Sequence, residues 1–314
     1  GDVYKRQGLL LLSPGLALFL YGISSSTEAG TFIDTKVLTT SIIGLILIIG
    51  FVWHALHTNH PLLDLRLFKN KTLAIAVITM TFFMIAFFGA ALLYPQYFIG
   101  IRGESTLAAG LLLAPQGIGA MITMPVAGKM TDKIGPGKFV LVGIVLMAVG
   151  MGTFMFLGAD TPYWLLCGAL FVQGLGMGMT MMPIMSAALA TLSNKQVPDG
   201  STLMNVVQQT ASSIGTAVIS VILATNLKAH AESQLAIASN AAPEKYDLLV
   251  KAGQAPQDPP GQWFSWAAEA FGATFIVAVA LIAVTIIPAF FLPRRKIASP
   301  LVEEDVDRAP IVMH

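Results

Sequence analysis

Long apolar runs separated by short polar segments dominate this sequence and leave few folds open to it. The 314 residues are 55% hydrophobic and only 11% charged, with a mean hydropathy of +0.74. Soluble domains carry about 25% charged residues, so a chain this apolar cannot cover its surface with polar groups in water. Since a helix crosses the hydrocarbon core of a bilayer with about 20 apolar residues, we predict an all-α polytopic membrane protein.

The apolar runs predict about eight transmembrane helices connected mostly by short loops. The predicted spans are residues 8–24, 39–56, 72–98, 107–130, 139–157, 163–192, 201–227 and 270–292. One connection is long and polar, and we predict that residues 228–266 form an external loop. Residues 297–314, after the last run, are expected to form a disordered cytoplasmic tail.

Lysine and arginine residues are concentrated in alternate loops between the runs. One set of loops contains Arg66, Lys69, Lys71, Lys129, Lys133, Lys138, Lys195, Arg294, Arg295 and Lys296. The short loops of the other set contain Lys36 and Arg102. Because short cytoplasmic loops carry the excess of cations, we predict that the first set is cytoplasmic. Both ends of the sequence are then inside, and the protein is expected in the plasma (inner) membrane.

The N-terminal residues GDVYKRQ differ in character from the apolar run that follows them. The string DVYKRQ resembles the translation of a transposon-type sequencing adapter, and we interpret residues 1–7 as an adapter-derived artefact. A native cytoplasmic stub is the alternative. On the first interpretation, the natural protein is expected to continue upstream of this sequence.

A charged turn between the fourth and fifth runs reads PVAGKMTDKIGPGK and occupies residues 125–138. Its order is Gly128, then Asp132 and Lys133, then Gly135. Charged side chains follow the apolar run here, and lysines are the more numerous among them, which is typical of a cytoplasmic turn. An ordinary solvated turn is one interpretation of these residues.

Uncharged polar residues are the candidates for contact with a bound molecule, because no Asp or Glu lies centrally in a predicted span. On the seventh run, amides and hydroxyls recur at helical spacing and predict one polar face. The residues of this face are Asn205, Gln208, Gln209, Ser212 and Thr216, and the first four are candidates for the wall of a substrate cavity. In lipid such a face must turn toward partner helices or a wet cavity. Gln116 and Gln173 are isolated amides in apolar runs with the same requirement.

Aromatic and methionine side chains are also frequent in the runs, and Phe87, Tyr94 and Met177 are candidates for the wall of a cavity. Flat aromatic rings and soft thioethers suit a permissive pocket for varied apolar ligands. Ordinary packing against lipid or core is the alternative for each of these residues.

The sequence carries no pattern typical of an enzyme, a metal site or a nucleic-acid interface. Cys167 is the single cysteine, so it excludes an internal disulfide, and the five histidines are scattered without ligand spacing. The strings GIGAMI and GLGMGM lie inside apolar runs and not after a strand, so they are not dinucleotide-binding motifs. We therefore predict no catalytic residues, no cofactor, no metal and no nucleic-acid partner.

The charged turn resembles the loop signature of the major facilitator superfamily, which reads roughly G-x-L-x-D-R/K-x-G-R-K. Gly128, Asp132, Lys133 and Gly135 match this pattern, while Met130 stands in place of Leu. The family places the signature between the second and third helices of a six-helix half. Six runs follow residue 71, and the turn lies between the second and third of them, so the position matches as well.

Two further strings resemble the fourteen-span drug:proton antiporter branch of that family, the EmrB/QacA type. They are PLLDLRLFKNK at residues 61–71 and YPQYFIGIRGESTLAAGLLLAPQGIGA at residues 94–120. The resemblance implies that residues 8–60 form a two-helix hairpin between the halves and that residues 61–296 form the six-helix C-terminal bundle. It also implies that an N-terminal six-helix bundle of the same protein is missing from this fragment and is its partner.

In this branch two bundles rock around a cavity in the lipid bilayer. The resemblance implies export of hydrophobic or cationic compounds by alternating access, with a small-molecule substrate and a proton as partners. The titrating carboxylate would lie in the missing half. Gly128, Asp132, Lys133 and Gly135 would form a conformational latch, in which Asp132 faces a helix N-terminus across the interface between the halves. The alternatives are a facilitator for another small solute, such as a metabolite or siderophore, and a non-transporting membrane scaffold.

Overall fold

A computed structural model of the chain describes residues 2–29, 31–58, 63–295 and 297, and its regular elements there are all helices. Eight helices in this part of the chain are long and apolar enough to cross a membrane. The prediction of an all-α polytopic membrane protein with eight spans is confirmed. The predicted tail lies outside the described residues, apart from Ile297.

The helices follow one another in the order α1 Asp2–Ala29, α2 Thr35–His57, α3 Lys71–Gly100, α4 Thr106–Leu112, α5 Ala114–Ile134, α6 Gly137–Thr153, α7 Tyr163–Ala190, α8 Val197–Leu227, α9 Ala231–Ala241, α10 Pro243–Lys251, α11 Gly261–Val284 and α12 Ile286–Phe290. Short 3-10 segments precede α3 at Leu65–Lys69 and follow α6 at Phe154–Phe156. The pairs α4 with α5 and α11 with α12 each form one span.

Proline accounts for the breaks inside these two spans. Pro115 has no N–H to donate to the carbonyl four residues earlier, and α4 ends at Leu112, just before it. Pro288 removes the equivalent bond at the junction of α11 and α12. The span predicted at 107–130 therefore contains a break, and it also continues past its predicted end to Ile134.

The segment at 228–266, predicted as a long polar external loop, is largely helical. It contains α9, α10 and the first turns of α11, which begins at Gly261 and not at residue 270. Alanine-rich α9 has high helix propensity, and it buries Ala236 against the bundle. Asn240 Nδ2 donates to the carbonyl of Gly100 at 3.1 Å, which fixes α9 on the end of α3.

Glycines let α7 pack tightly between α5 and α6. A Cβ added at Gly178 would lie 2.9 Å from Met124 N in α5, and one added at Gly143 in α6 would lie 2.7 Å from Gly176 O in α7. Thr123 Oγ1 donates to the carbonyl of Leu175 at 2.9 Å across the α5–α7 contact. Close backbone approach of this kind drives helix association in lipid, where burial of apolar surface contributes little.

The remaining helices complete the bundle around α3, which is the most buried span in the described chain. It packs against α7, α8 and α11, while α1 and α2 pair with each other and α1 also contacts α8. Loops that we predicted on one side of the membrane meet at one end of the bundle. Asn70 Nδ2 donates to Thr191 Oγ1 at 2.6 Å, and Gly137 N donates to Pro293 O at 2.9 Å.

Candidate functional site

Tyr94 of α3 and Gln173 of α7 form a buried polar pair inside the bundle. The Tyr94 hydroxyl donates to Gln173 Oε1 at 2.7 Å, and the exposed fractions of the two side chains are 1% and 0%. The Tyr94 ring packs against Phe154 and Phe275, with centroid distances of 4.8 Å and 5.2 Å. Gly150 of α6 leaves room for the amide, because a Cβ there would lie 2.9 Å from Gln173 Cβ.

Two side-chain amides in the bundle retain an unused donor. Gln173 Nε2 and Gln116 Nε2 are buried and have no hydrogen-bond partner among the described residues. A buried donor without an acceptor costs about 1–3 kcal/mol. Gln116 belongs to the first turn of α5, where its backbone packs against Gly174. The two predicted amides therefore lie on neighbouring helices, each with an N–H group that can bind an acceptor.

Phe87 and Met177, the other apolar candidates, lie against the core. Phe87 is 9% exposed and stacks on Phe83 at a centroid distance of 5.8 Å. Its ring also meets Phe88 edge-on at 5.3 Å. Met177 is half-buried and packs against the main core cluster. The structure thus places Phe87 and Tyr94 on the same helix but inside the bundle, and neither presents a broad open surface.

The polar face of α8 is divided between an open part and a covered part. Asn205 and Gln209 are exposed, and Gln208 is half-buried. Ser212, also half-buried, donates its hydroxyl to Gln209 O at 2.9 Å. Ser212 also lines a pocket of about 170 Å³ where α1, α3 and α8 meet, together with Ser24 of α1. The hairpin therefore covers the middle of this face and leaves the amides nearer the start of α8 open.

The charged turn is shorter than predicted, because Asp132 and Lys133 belong to the last turn of α5 and Gly128 to the turn before it. Gly135 ends the helix with a φ of +89°, a conformation that favours glycine, and its N–H donates to Thr131 O at 2.9 Å. A Cβ at Gly135 would also lie 2.7 Å from the backbone nitrogen of Arg295.

Asp132 borders a cavity of about 480 Å³ at the same end of the bundle. The cavity lies between α5, α7 and the start of α8, and its other lining residues include Met182, Met185, Ser186 and Val197. The Asp132 side chain is exposed, and a Cβ added at Gly128 would have no atom within 4 Å. The face of α5 that carries Gly128 and Asp132 is thus open within the described chain.

Met182, Met185 and Ser186 were not among the predicted site residues. The signal that identifies them is their helical spacing, since 182, 185 and 186 share one face of α7. The sequence shows that this run is rich in methionine. It does not show which face of α7 the methionines occupy, because that depends on which face packs its glycines against α5 and α6.

Arg102 organises the opposite end of the bundle. Its Nη1 donates to Thr161 O at 2.5 Å and to the Tyr97 hydroxyl at 3.2 Å, and its guanidinium lies 4.3 Å from the centroid of the Tyr163 ring. Burial opposes the charge of Arg102, but its interactions with Tyr97 and Tyr163 hold its pKa above the ordinary value. Tyr163 in turn donates to Glu104 Oε1 at 2.5 Å. These contacts join the loops after α3 and α6.

The described residues contain no group of three or more His, Cys, Asp or Glu side chains arranged to hold a metal ion. The polar groups of the site are instead amides, hydroxyls and one exposed carboxylate. Such groups can bind and orient a molecule through hydrogen bonds.

Comparison with known proteins gives a consistent set of relatives. A sequence profile of the Major Facilitator Superfamily matches residues 8–216. The chain is 44% identical over 303 residues to the Multidrug resistance protein B homolog of Mycobacterium tuberculosis (strain ATCC 25618 / H37Rv), covering 93% of this chain and 56% of that protein. It is 30% identical over 247 residues to the Lincomycin resistance protein LmrB of Listeria monocytogenes, covering 78% and 51%. It is 33% identical over 229 residues to the Uncharacterized MFS-type transporter YhcA of Bacillus subtilis, covering 73% and 43%. The chain spans about half the length of these curated relatives.

Proposed function

Because this chain belongs to the major facilitator superfamily, we propose that it is the C-terminal part of a proton-coupled multidrug efflux antiporter of the fourteen-span EmrB/QacA type. Its substrates are hydrophobic or cationic compounds. The relative that is 44% identical is named for multidrug resistance, and another is named for lincomycin resistance. These names support drug export over transport of a metabolite or siderophore.

The observation that carries this proposal is the exposed amide face of α8. Asn205 and Gln209 are exposed on a helix long and apolar enough to span a membrane. An unsatisfied polar group in hydrocarbon costs several kcal/mol, so this face belongs against water or another polar surface. We assign Asn205, Gln208, Gln209 and Ser212 to the wall of the substrate cavity. A membrane scaffold would have no need of such a face.

Gln116 and Gln173 supply further donors to the proposed cavity. Their Nε2 groups have no acceptor among the described residues, and a substrate carbonyl or hydroxyl that reached them would complete their hydrogen bonds. Tyr94 holds Gln173 in place through the 2.7 Å bond to Oε1. Phe87 and Met177 support the proposed cavity wall from the core side, and the flexible thioether of half-buried Met177 suits substrates that differ in shape.

The open face of α5 supports a contact with a second bundle. Gly128 permits close approach of another helix, and the exposed Asp132 carboxylate beside it is favoured near the positive end of a helix dipole. We propose that Gly128, Asp132, Lys133 and Gly135 form one side of a latch that holds one state of the transport cycle. The partner is the N-terminal six-helix bundle of the same protein, which also carries the proton-coupling carboxylate.

The proposed arrangement is a hairpin at 8–60 followed by the bundle at 61–296, in the plasma (inner) membrane. The cation-rich end of the described chain is cytoplasmic, and α9 and α10 lie outside. This orientation follows the excess of lysine and arginine at one end.

Dye efflux from cells that express the full-length protein tests the function. We expect export of a cationic dye such as ethidium, and we expect a proton uncoupler to abolish it. Export that survives collapse of the proton gradient would contradict proton coupling. Absence of dye or drug export, with the protein present in the membrane, would contradict the efflux function itself.

A further inference from the structure

The turn between α5 and α6 is held against the chain segment that follows α12. Gly137 N donates to Pro293 O at 2.9 Å. Gly135 lies against the backbone of Arg295, and Gly137 lies against the Arg294 side chain. Ile297 then packs beside the core cluster. Two segments far apart in sequence therefore form one corner at the cation-rich end of the bundle.

Five cationic side chains lie on the residues of this corner and on the last two turns of α5 beside it, and we call this set the basic corner. They are Lys129, Lys133, Lys138, Arg294 and Arg295, and all five are exposed. Among these five side chains, Arg294 contacts an aromatic ring: its guanidinium lies 4.3 Å from the centroid of the Phe290 ring. Asp132 contributes a single carboxylate close by. The local charge is therefore strongly positive.

An exposed apolar surface adjoins the basic corner on α12. The exposed fractions of Ile287, Phe290 and Phe291 are 64%, 57% and 67%. These side chains immediately precede Arg294 and Arg295, so cations and apolar groups lie next to each other at the end of a span. The N-terminus of α6 lies at the same corner and has no side-chain cap. Gly137 N there donates to Pro293 O, and the positive end of the helix dipole favours a nearby anion.

We propose that the basic corner binds the headgroup phosphate of an anionic phospholipid, with the acyl chains along Ile287, Phe290 and Phe291. Basic pockets beside transmembrane helices favour anionic headgroups, and the apolar residues at the edge of the bilayer match the acyl chains. The acidic run at residues 303–307 of this chain is the competing occupant. The apolar surface favours lipid over that run, because carboxylate side chains gain nothing from an apolar neighbour. This inference rests on the membrane location of the chain and is independent of its substrate.

Native mass spectrometry of the purified chain, with equal amounts of dioleoyl phosphatidylglycerol and dioleoyl phosphatidylcholine, tests the proposal. We expect the chain to retain phosphatidylglycerol preferentially. The variant Lys138→Gln/Arg294→Gln/Arg295→Gln should lose about tenfold or more of that preference. The charge-preserving variant Lys138→Arg/Arg294→Lys/Arg295→Lys should keep it, and each single glutamine variant should lose part of it, so the test does not depend on the folding of one protein.

A matched control removes the same number of cations from the opposite end of the bundle. Lys228, Lys245 and Lys251 are exposed there, and Lys228→Gln/Lys245→Gln/Lys251→Gln should retain the preference. An equal loss in both glutamine triples, or a preference that survives in the basic-corner triple, would overturn the proposal. Neutralising the acidic side chains in residues 303–307 provides the last comparison. It should leave phosphatidylglycerol retention unchanged, whereas a preference that is absent in the native chain and appears only after neutralisation would identify that run as the occupant and overturn the lipid assignment.

Discussion

The hydroxyl of Tyr94 and the side-chain carbonyl of Gln173, at 2.7 Å, form a hydrogen bond between α3 and α7 from which solvent is excluded. Because the Gln173 amide nitrogen has no partner in the described chain, this bond is the one that satisfies the side chain. The pair is therefore sensitive to the loss of either member.

Tyr94→Phe removes the hydroxyl and leaves the Gln173 side chain without a partner. We expect a loss of about 1–3 kcal/mol in stability, the cost of an unsatisfied buried polar group, measured as a lower thermal unfolding temperature in detergent. The double variant Tyr94→Phe/Gln173→Leu removes both polar groups and should be more stable than Tyr94→Phe alone. A double variant that is less stable than the single one would contradict the role assigned to the pair.

Gly174→Ala should destabilise the contact between α5 and α7. The added Cβ would meet the Gln116 carbonyl group, with its carbon at 2.8 Å, and overpacking of this kind costs about 1–3 kcal/mol. Gly117→Ala is the matched control, because a Cβ there has no atom within 4 Å. Folded yield and unfolding temperature should fall in Gly174→Ala and remain unchanged in Gly117→Ala. Similar values for the two variants would show that α5 and α7 do not pack as described.

Gly135→Ala should disturb the end of α5, because the position combines a φ of +89° with contact to the Arg295 backbone. A non-glycine residue in such a conformation costs about 1–3 kcal/mol. Gly152→Ala, at a position with no atom within 4 Å of an added Cβ, should leave stability unchanged or slightly higher. The thermal unfolding temperatures of the two variants test this prediction. An unfolding temperature of Gly135→Ala equal to that of the unmodified chain would contradict the tight turn at Gly135.

The sequence predicted the eight spans because a run of about 20 apolar residues is the length that a helix needs to cross the hydrocarbon core of a bilayer. It did not predict that α5 continues beyond residue 130, through Asp132 and Lys133 to Ile134, because hydropathy marks the end of the apolar run and not the end of the helix. The helices α9 and α10 were missed because the segment is polar overall and hydropathy does not detect a polar helix. In the structure α9 packs on α3 and α11, and α10 packs on α9.

The sequence supplied individual candidate residues for the site, which remain predictions, and it did not indicate how those residues are arranged. Tyr94 and Gln173 were identified separately, and nothing in a single sequence indicates that they share a hydrogen bond. The contact between Gly135 and Arg295 is likewise a tertiary one, between segments that carry no common pattern. Residues that line the α5–α7–α8 cavity, such as Met185, required the rotation of α7 to be known.

Asp132→Asn in the full-length protein should impair transport without affecting insertion. Loss of a carboxylate near a helix N-terminus is worth about 1–2 kcal/mol in a partly buried geometry, which corresponds to roughly tenfold in rate. Asp160→Asn, which changes another exposed carboxylate at the other end of the bundle, is the control and should transport normally. Normal drug export by Asp132→Asn would contradict the latch.

The most direct test of the proposed function asks whether water reaches the amide face of α8. In a Cys167→Ala background, Asn205→Cys and Gln209→Cys would be treated with a charged thiol reagent, beside Val149→Cys and Ile276→Cys as controls. The control positions are 59% and 50% exposed but apolar, and we expect them to face lipid and resist the reagent, since only the aqueous thiolate reacts. We predict rapid modification at residues 205 and 209, slowed by an exported drug. Resistance at these two positions equal to that of the controls would contradict a water-filled substrate cavity on α8.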